Sequence, residues 1–440
     1  MKKTATLLVI LFLLMINQAG ISQTVDSLYE VGIWHGFRNA AVTFTFDDGS
    51  PNQFSKAVPL FDEFDLPLTL FIVTGSNWGW RANWSTLRTA ASAGHEIASH
   101  TVTHTSFANI NDSLETIELE ASQKEINDHI TDQKCVTMAY PYCVTGNKSI
   151  CAQYYIGARI CSGIIESSTP KDFMTISSII CGTEGSVKTS DNFLARASSA
   201  IRSNGWCVYL LHGVDNDGGY SPVTSQVLRG ALEHFSQNQH EYWIGTFGNV
   251  IRYIKERDNV TVTELAFLDS CITVQVTDDL DDEIFDFPIS IRRQLPDDWN
   301  SVMITQNDKP VDAVIVEENG DVYVQFDAVP DGGEVVIRRE DAAVVQRYKS
   351  SFEPTMTLLQ NYPNPFNPTT TIEYSIPATV HVSLKLYNIR GELVKTLVDQ
   401  EQFAGTYKII LRVANLDSGI YFYTMRAGSF CETKRLVLIK

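Results

Sequence analysis

The stretch AVTFTFDDG, Ala41 to Gly49, decides how the rest of the chain is read, together with GHEIASHTVTH from Gly94 to His104. The first alternates apolar residues and then stops at two adjacent carboxylates and a glycine, the pattern of a buried strand running into a turn. The second is a short strand-like run that delivers His100 and His104, four residues apart. One carboxylate with two imidazoles is a donor set suited to a catalytic divalent metal, zinc foremost, with a position left for water. The neighbouring carboxylate is then placed to take a proton from that water. Singly, an Asp-Asp-Gly is an ordinary solvated turn and a histidine pair an ordinary surface feature. Their order, each at the end of an apolar strand, makes the combination specific.

Outward from these stretches, apolar strand-like runs alternate with helix-like ones. The strands expected are Ala41–Phe46, Leu66–Val73, Glu96–Ser99, Thr137–Tyr142, Tyr155–Ile160, Trp206–Leu211 and Tyr242–Thr246. Asn111 to Ile130 places Leu114, Ile117, Ala121, Ile126 and Ile130 at helical spacing, with Asn111 or Asp112 as cap, and Asp191 similarly precedes Leu194, Ala197 and Ile201. Such alternation means a parallel sheet covered by helices, open or closed into a barrel.

TFDDG, followed about fifty residues later by SHTVTH, resembles the first two motifs of the polysaccharide deacetylases, carbohydrate esterase family 4. The likeness runs from Trp34 to Arg257. It implies a distorted (β/α) barrel with its chemistry at the carboxyl ends of the strands. It also implies Asp47 as general base, with Asp48, His100 and His104 holding the metal. The family's third motif reads Arg-x-Pro-Tyr/Phe-Gly; here Ala139-Tyr140-Pro141-Tyr142-Cys143 replaces both the arginine and the glycine. Some branches of the family carry an alanine-tyrosine-proline version, but the arginine that orients the base is missing from its usual place. The motif position implies the Tyr142 amide as a candidate oxyanion donor, the alternative being a plain strand end with a proline-fixed turn. Trp206-Cys207-Val208-Tyr209-Leu210-Leu211-His212 is similar to the family's last motif and implies His212 as general acid. Glu184 and Asp215 are the candidates for a carboxylate partner of His212. Trp78, Trp80, Trp84 and Tyr220 fall in loops and are candidates for stacking on sugar rings.

The formal charge is −18, or −20 once Lys2 and Lys3 leave with a leader, which disfavours nucleic acid, anionic membrane and fully acidic polysaccharides as partners. Residues 1–23 read as a secretory signal peptide: Lys2 and Lys3, an apolar run from Leu7 to Ile16, and small residues at Gly20 and Ser22. No later segment reaches membrane-spanning length, so no stable membrane span is expected. Eight cysteines in an exported chain make disulfides plausible, though spacing does not give the pairing. Cys271 and Cys431 are expected as buried single thiols.

The division expected is a catalytic domain over 31–257, an all-β sandwich over 258–345, and an immunoglobulin-like β-sandwich over 357–440. The acid cluster Asp278, Asp279, Asp281, Asp282 and Glu283 does not have EF-hand spacing and reads as a solvated loop. The YPNPF opening at Tyr362, the LYNIRGELV run and the GIYFY…KRLVLIK ending resemble the C-terminal sorting domain of type IX secretion cargo. That resemblance implies a secreted or cell-surface protein, exported through the periplasm and across the outer membrane by the type IX machinery. The expectation is a metal-dependent deacetylase acting on an acetylated carbohydrate, N-acetyl or O-acetyl. The alternative is a catalytically impaired carbohydrate-binding protein on the same scaffold.

Overall fold

The computed structural model describes residues 23–439 except 81–82, 269, 297–298, 300, 319, 340–343, 349–354, 368, 403, 413–415 and 429, so all of the expected leader but its last residue lies outside the described residues. The chain forms two compact units, 1–263 with 275–291 and 327–333, and 264–274 with 292–326 and 334–440. Residues 258–345 are thus shared between the two.

The first unit is built on parallel strands: β1 (Ala40–Asp47), β2 (Thr69–Ile72), β3 (Glu96–Ser99), β4 (Thr137–Ala139), β5 (Gly157–Arg159), β6 (Ile179–Ile180), β7 (Trp206–Leu211) and β8 (Tyr242–Ile244). Their order is β5-β4-β3-β2-β1-β7-β6, and β8 pairs with the first residues of β1. The sheet curls until its edges meet. Ile176 N–H donates to Ala158 O (2.9 Å) and Ile160 N–H to Ile176 O (2.8 Å), while Ile179 and Ile180 pair with Tyr209 and Leu210. One short bent segment therefore closes a distorted (β/α) barrel. That segment was absent from the expected strands, because two residues carry too little periodicity to register.

β1 is buried at every position. Its even residues, Ala40, Val42, Phe44 and Phe46, join the core beneath the helices. Because side chains alternate along a strand, Thr43, Thr45 and Asp47 must then point the other way, into the barrel. Thr43 accepts from Trp206 Nε1 (2.9 Å) and donates to Gly245 O (2.9 Å), which fixes that inner face.

The helices are α1 (Val58–Glu63), α2 (Trp84–Ser92), α3 (Asp112–His129), α4 (Ser190–Ser203), α5 (Ser225–Gln237) and α6 (Phe247–Asn259). Asn111 caps α3 through Leu114 N–H, as expected. α4 is capped by Thr189, so Asp191 sits in its first turn instead. Thr137–Tyr142 stops as a strand at Ala139, because Pro141 opens a tight turn in which Tyr142 and Cys143 take φ of 56° and 59°.

In the second unit, Cys271–Val274, Val335–Arg339, Val302–Gln306 and Lys309–Val311 form an antiparallel run. The C-terminal part is a sandwich of two four-stranded sheets, with Ile372, Tyr374 and Ile409 of one packed against Leu384, Leu386 and Tyr423 of the other. Its strand Thr369–Ile376, TTTIEYSI, alternates half-buried and buried residues along its length. Cys431 is exposed and Cys271 half-buried, correcting the expectation of buried thiols. Cys431 occupies an outward position on the strand Phe430–Leu438. Among the described residues no helix is long and apolar enough to cross a membrane.

Glu256 on α6 is fully buried, accepts from Phe287 N–H (2.9 Å) through Oε1, and has no partner for Oε2 among the described residues. Burial, with Asp278 and Asp286 nearby, pushes its pKa up to about 9 against an ordinary 4.5. The folded state holds a proton there that the unfolded chain releases, so this group costs stability as pH rises from about 4.5 towards about 9. Glu256→Gln is expected to raise the melting temperature by several degrees more at pH 8.5 than at pH 5, at roughly 2–4 °C per kcal/mol. Equal gains at both pH values in thermal melts would contradict this.

Candidate metal centre

β1 ends by turning Asp47 into the barrel, and the chain then leaves the strand through Asp48 at φ 76° and Gly49 at φ 73°. A non-glycine residue in the left-handed region is costly and is held only where its surroundings dictate it. Here Trp78 Nε1 donates to Asp48 O (2.8 Å), and Gln53 Nε2 donates to both Asp47 O (2.5 Å) and His212 O (2.9 Å). β3 delivers His100, and Thr101 and His104 follow at φ 68° and 57°. That loop is held by Glu118, which accepts from Val102 N–H (2.8 Å), Thr103 N–H (2.8 Å) and Thr103 Oγ1 (2.6 Å).

The result brings Asp48, His100 and His104 together, with one donor atom from each within 4.8 Å of the others. Asp48 Oδ1 lies 3.6 Å from His100 Nε2 and 3.3 Å from His104 Nε2. Zinc–ligand arms of about 2.0–2.1 Å in a tetrahedron put donor atoms about 3.3 Å apart, so the spacing fits such an ion. His100 Nδ1 faces Ala139 O at 2.8 Å, and a carbonyl only accepts. Nδ1 therefore carries the proton and Nε2 turns its lone pair to the cluster. Asp48 Oδ1 is buried and has no hydrogen-bond partner among the described residues. A buried carboxylate oxygen facing two imidazole nitrogens is a cation's donor set. Among the described residues no other group of three such side chains converges in this way.

Charge is distributed unevenly over the two aspartates. Burial alone would raise Asp47, but the Arg159 guanidinium, with His100 and His212, holds it below the usual carboxylate range. Asp48, buried and beside the Asp47 charge, is pushed up to about 7. Burial pushes His100 down to about 3 and also lowers His104 and His212.

Sequence reasoning missed Arg159. Its Nη2 donates to Asp47 Oδ2, and its Nη1 donates to Ser178 Oγ at 2.9 Å. The signal was a lone cation in the apolar run Tyr155–Ile160. His212 Nε2 stands 3.9 Å from Asp47 Oδ2, and its buried Nδ1 has no partner among the described residues. Neither suggested carboxylate, Glu184 or Asp215, is hydrogen-bonded to that Nδ1, and Asp215 pairs with Lys56 instead (2.8 Å). In the Pro141 turn the Cys143 and Val144 amides donate to Tyr140 O and Pro141 O, which leaves the Tyr142 amide outside those two bonds.

Aromatic side chains surround the cluster. Trp78 and Tyr142 pack against His104, with ring centres 4.9 and 4.7 Å away, and Tyr220 packs against His212 at 5.1 Å. Tyr142 is 67% exposed, which leaves its face open to a ligand. Trp80 packs edge-on to Trp78. Trp84 instead opens α2 and stacks on His129.

The fold and the site together define a (β/α)-barrel protein with a cluster of three side chains that could hold a metal ion at the carboxyl ends of its strands. Residues 36–159 match the family model described as polysaccharide deacetylase, and residues 360–440 match that of the secretion system C-terminal sorting domain. The stretch 36–159 is thus similar to polysaccharide deacetylases, and the stretch 360–440 to secretion sorting domains. A gellan lyase from a Bacillus species is 26% identical over 333 residues, 70% of this chain. This chain spans only 13% of that relative's length. Among solved structures, the Xyl-CE4 domain of a multidomain xylanase from the hindgut metagenome of Trinervitermes trinervoides is 19% identical, with a TM-score of 0.35 over 48% of this chain and 89% of that one. A family 4 carbohydrate esterase from Bacillus anthracis is 16% identical, with a TM-score of 0.34 over 50% of this chain and 87% of that one.

A metal ion takes Asp48 ionised, so binding below pH about 7 must first displace its proton. His100 adds no such penalty, being neutral above about 3. Zinc affinity measured by chelator competition is expected to fall up to about tenfold per pH unit below 7. An affinity that stays flat between pH 5.5 and 7.5 would contradict the assignment of Asp48.

Proposed function

We propose that this chain is a secreted, metal-dependent deacetylase that releases acetate from an acetylated carbohydrate, with zinc at Asp48, His100 and His104. The observation that carries the reading is the convergence of those three donors beside Asp47, a second carboxylate kept ionised by a buried arginine. A divalent ion held there would polarise the acyl oxygen and acidify a bound water.

The chain's own residues supply the remaining chemistry. Asp47 accepts the proton of the attacking water, and its Oδ1 is the oxygen without a partner. The Tyr142 amide, projecting from the strained turn after β4, donates to the developing oxyanion. His212 hands a proton to the departing sugar nitrogen or oxygen. It must carry that proton before transfer: burial lowers its pKa, while the Asp47 carboxylate 3.9 Å away favours the protonated form. The exposed faces of Tyr142 and Tyr220 give a sugar ring aromatic surface at the mouth.

The net charge of −18 favours neutral or cationic glycans, whether N-acetylated amino-sugar chains or O-acetylated xylan types. The gellan lyase relative adds weight to a polysaccharide as the substrate. The domain division proposed is 31–257 for catalysis, 258–345 as a β-sandwich spacer and 357–440 for sorting. The sorting domain supports export by the type IX machinery, after periplasmic transit, to the cell surface or the medium.

Acetate release from a panel of acetylated glycans tests the reading. Wild-type protein is expected to release acetate. Asp47→Asn is expected to lower kcat by about 10²–10⁴-fold while keeping its metal, and His212→Ala by a comparable factor. Bound metal with no acetate from any glycan would favour the carbohydrate-binding alternative.

A further inference from the structure

We propose that Arg159 is the positioning residue for Asp47, and that the Cys143–Cys161 disulfide makes Arg159 and Tyr142 parts of one rigid piece. The proposal rests on the deacetylase reading above and assigns roles to residues outside the motifs that suggested it.

Arg159 is the pairing partner of Ala139 on the neighbouring strand, so its side chain enters the barrel at the same height as position 139. It is 1% exposed and lies over the Phe71 ring, 5.2 Å from its centre. Ser178 Oγ accepts from Nη1 (2.9 Å) and donates to Ile160 O (2.6 Å), so the guanidinium plane is set by the segment that closes the barrel. Nη2 then takes one oxygen of Asp47 and leaves the other unpartnered. A carboxylate gripped at Oδ2 cannot swing, and Oδ1 is presented in a fixed direction.

The strand that carries Arg159 is short, so something must fix its end. Cys161, two residues on, is bonded to Cys143, the residue after Tyr142, with their Cα atoms 5.6 Å apart. Cys143 holds φ 59°, a conformation that suits glycine, and the crosslink ties down the turn that imposes it. Ala139 and Cys143 are thus two halves of one change: the cation comes from the next strand, and a covalent bond sets that strand's end against the oxyanion turn. A guanidinium so placed acts through Asp47 and touches no reacting atom.

The test measures kcat, KM and zinc content of full-length protein for wild type, Arg159→Ala, Arg159→Lys, the Arg159→Ala/Ala139→Arg double variant and Cys143→Ser/Cys161→Ser. Arg159→Ala is expected to keep one zinc per chain and a KM within about threefold, while kcat falls about 100-fold. Methylguanidinium in the buffer, or the arginine restored at position 139, should recover about tenfold of that loss. The same additive should do nothing for Asp47→Asn. The cysteine variant is expected to lose about tenfold in kcat with its zinc retained. If Arg159→Ala is insoluble, Arg159→Lys decides, with a kcat loss of about tenfold or more supporting the role. A kcat within threefold of wild type in the soluble arginine variant, or loss of zinc with it, would overturn the proposal. A cysteine variant with unchanged kcat would overturn the clamp. Absence of acetate release by wild type itself would fell the deacetylase reading, and this proposal with it.

Discussion

Two adjacent buried carboxylates cannot both stay ionised unless each has its own cation, and this constraint shapes everything around Asp47 and Asp48. Asp47 has Arg159. Asp48 faces two imidazoles and, among the described residues, no Lys or Arg ion pair, and burial together with the Asp47 charge pushes it up to about 7. A divalent ion is the partner proposed to complete that balance. The surrounding scaffold holds this unfavourable pair in place: the inward alternation of β1, the left-handed residues at 48, 101 and 104, and the Glu118 and Gln53 hydrogen bonds that fix their loops.

The barrel matters because it orders that pair by periodicity. A slip of one residue in β1 would put Phe46 inside and Asp47 among the helices. Registers with β2 and β7 are fixed from both sides, Phe46 opposite Leu70 and Leu211, so the strand has no freedom to slip. The strand that carries Asp47 thereby stands beside the one that carries His212, and Gln53 bridges their ends.

Much of this was legible in the chain. Long apolar runs such as Ala41–Phe46 and Trp206–Leu211 bury both faces and read as strands without ambiguity. The cluster of Asp48, His100 and His104 was legible because its residues sit at strand ends, with chemistry that has few other uses. Other features were hidden for physical reasons. The closing segment Ile176–Ile180 is too short to show a period. The pairing of Cys143 with Cys161 depends on the register of β4 with β5, which no spacing reveals. Arg159 reaches Asp47 across 112 residues of sequence, so only the folded sheet shows them as partners. Arg159 stands opposite Ala139 on the next strand, a register that no sequence spacing reveals.

The central claim is that Asp48, His100 and His104 share one cation. X-ray absorption at the zinc edge on zinc-loaded full-length protein, compared with His104→Ala, addresses it most directly. The expected result is a first shell of nitrogen and oxygen at about 2.0–2.1 Å, with imidazole outer-shell scattering from two rings that drops to one in the variant. A shell lacking imidazole scattering, or one unchanged by the substitution, would contradict it.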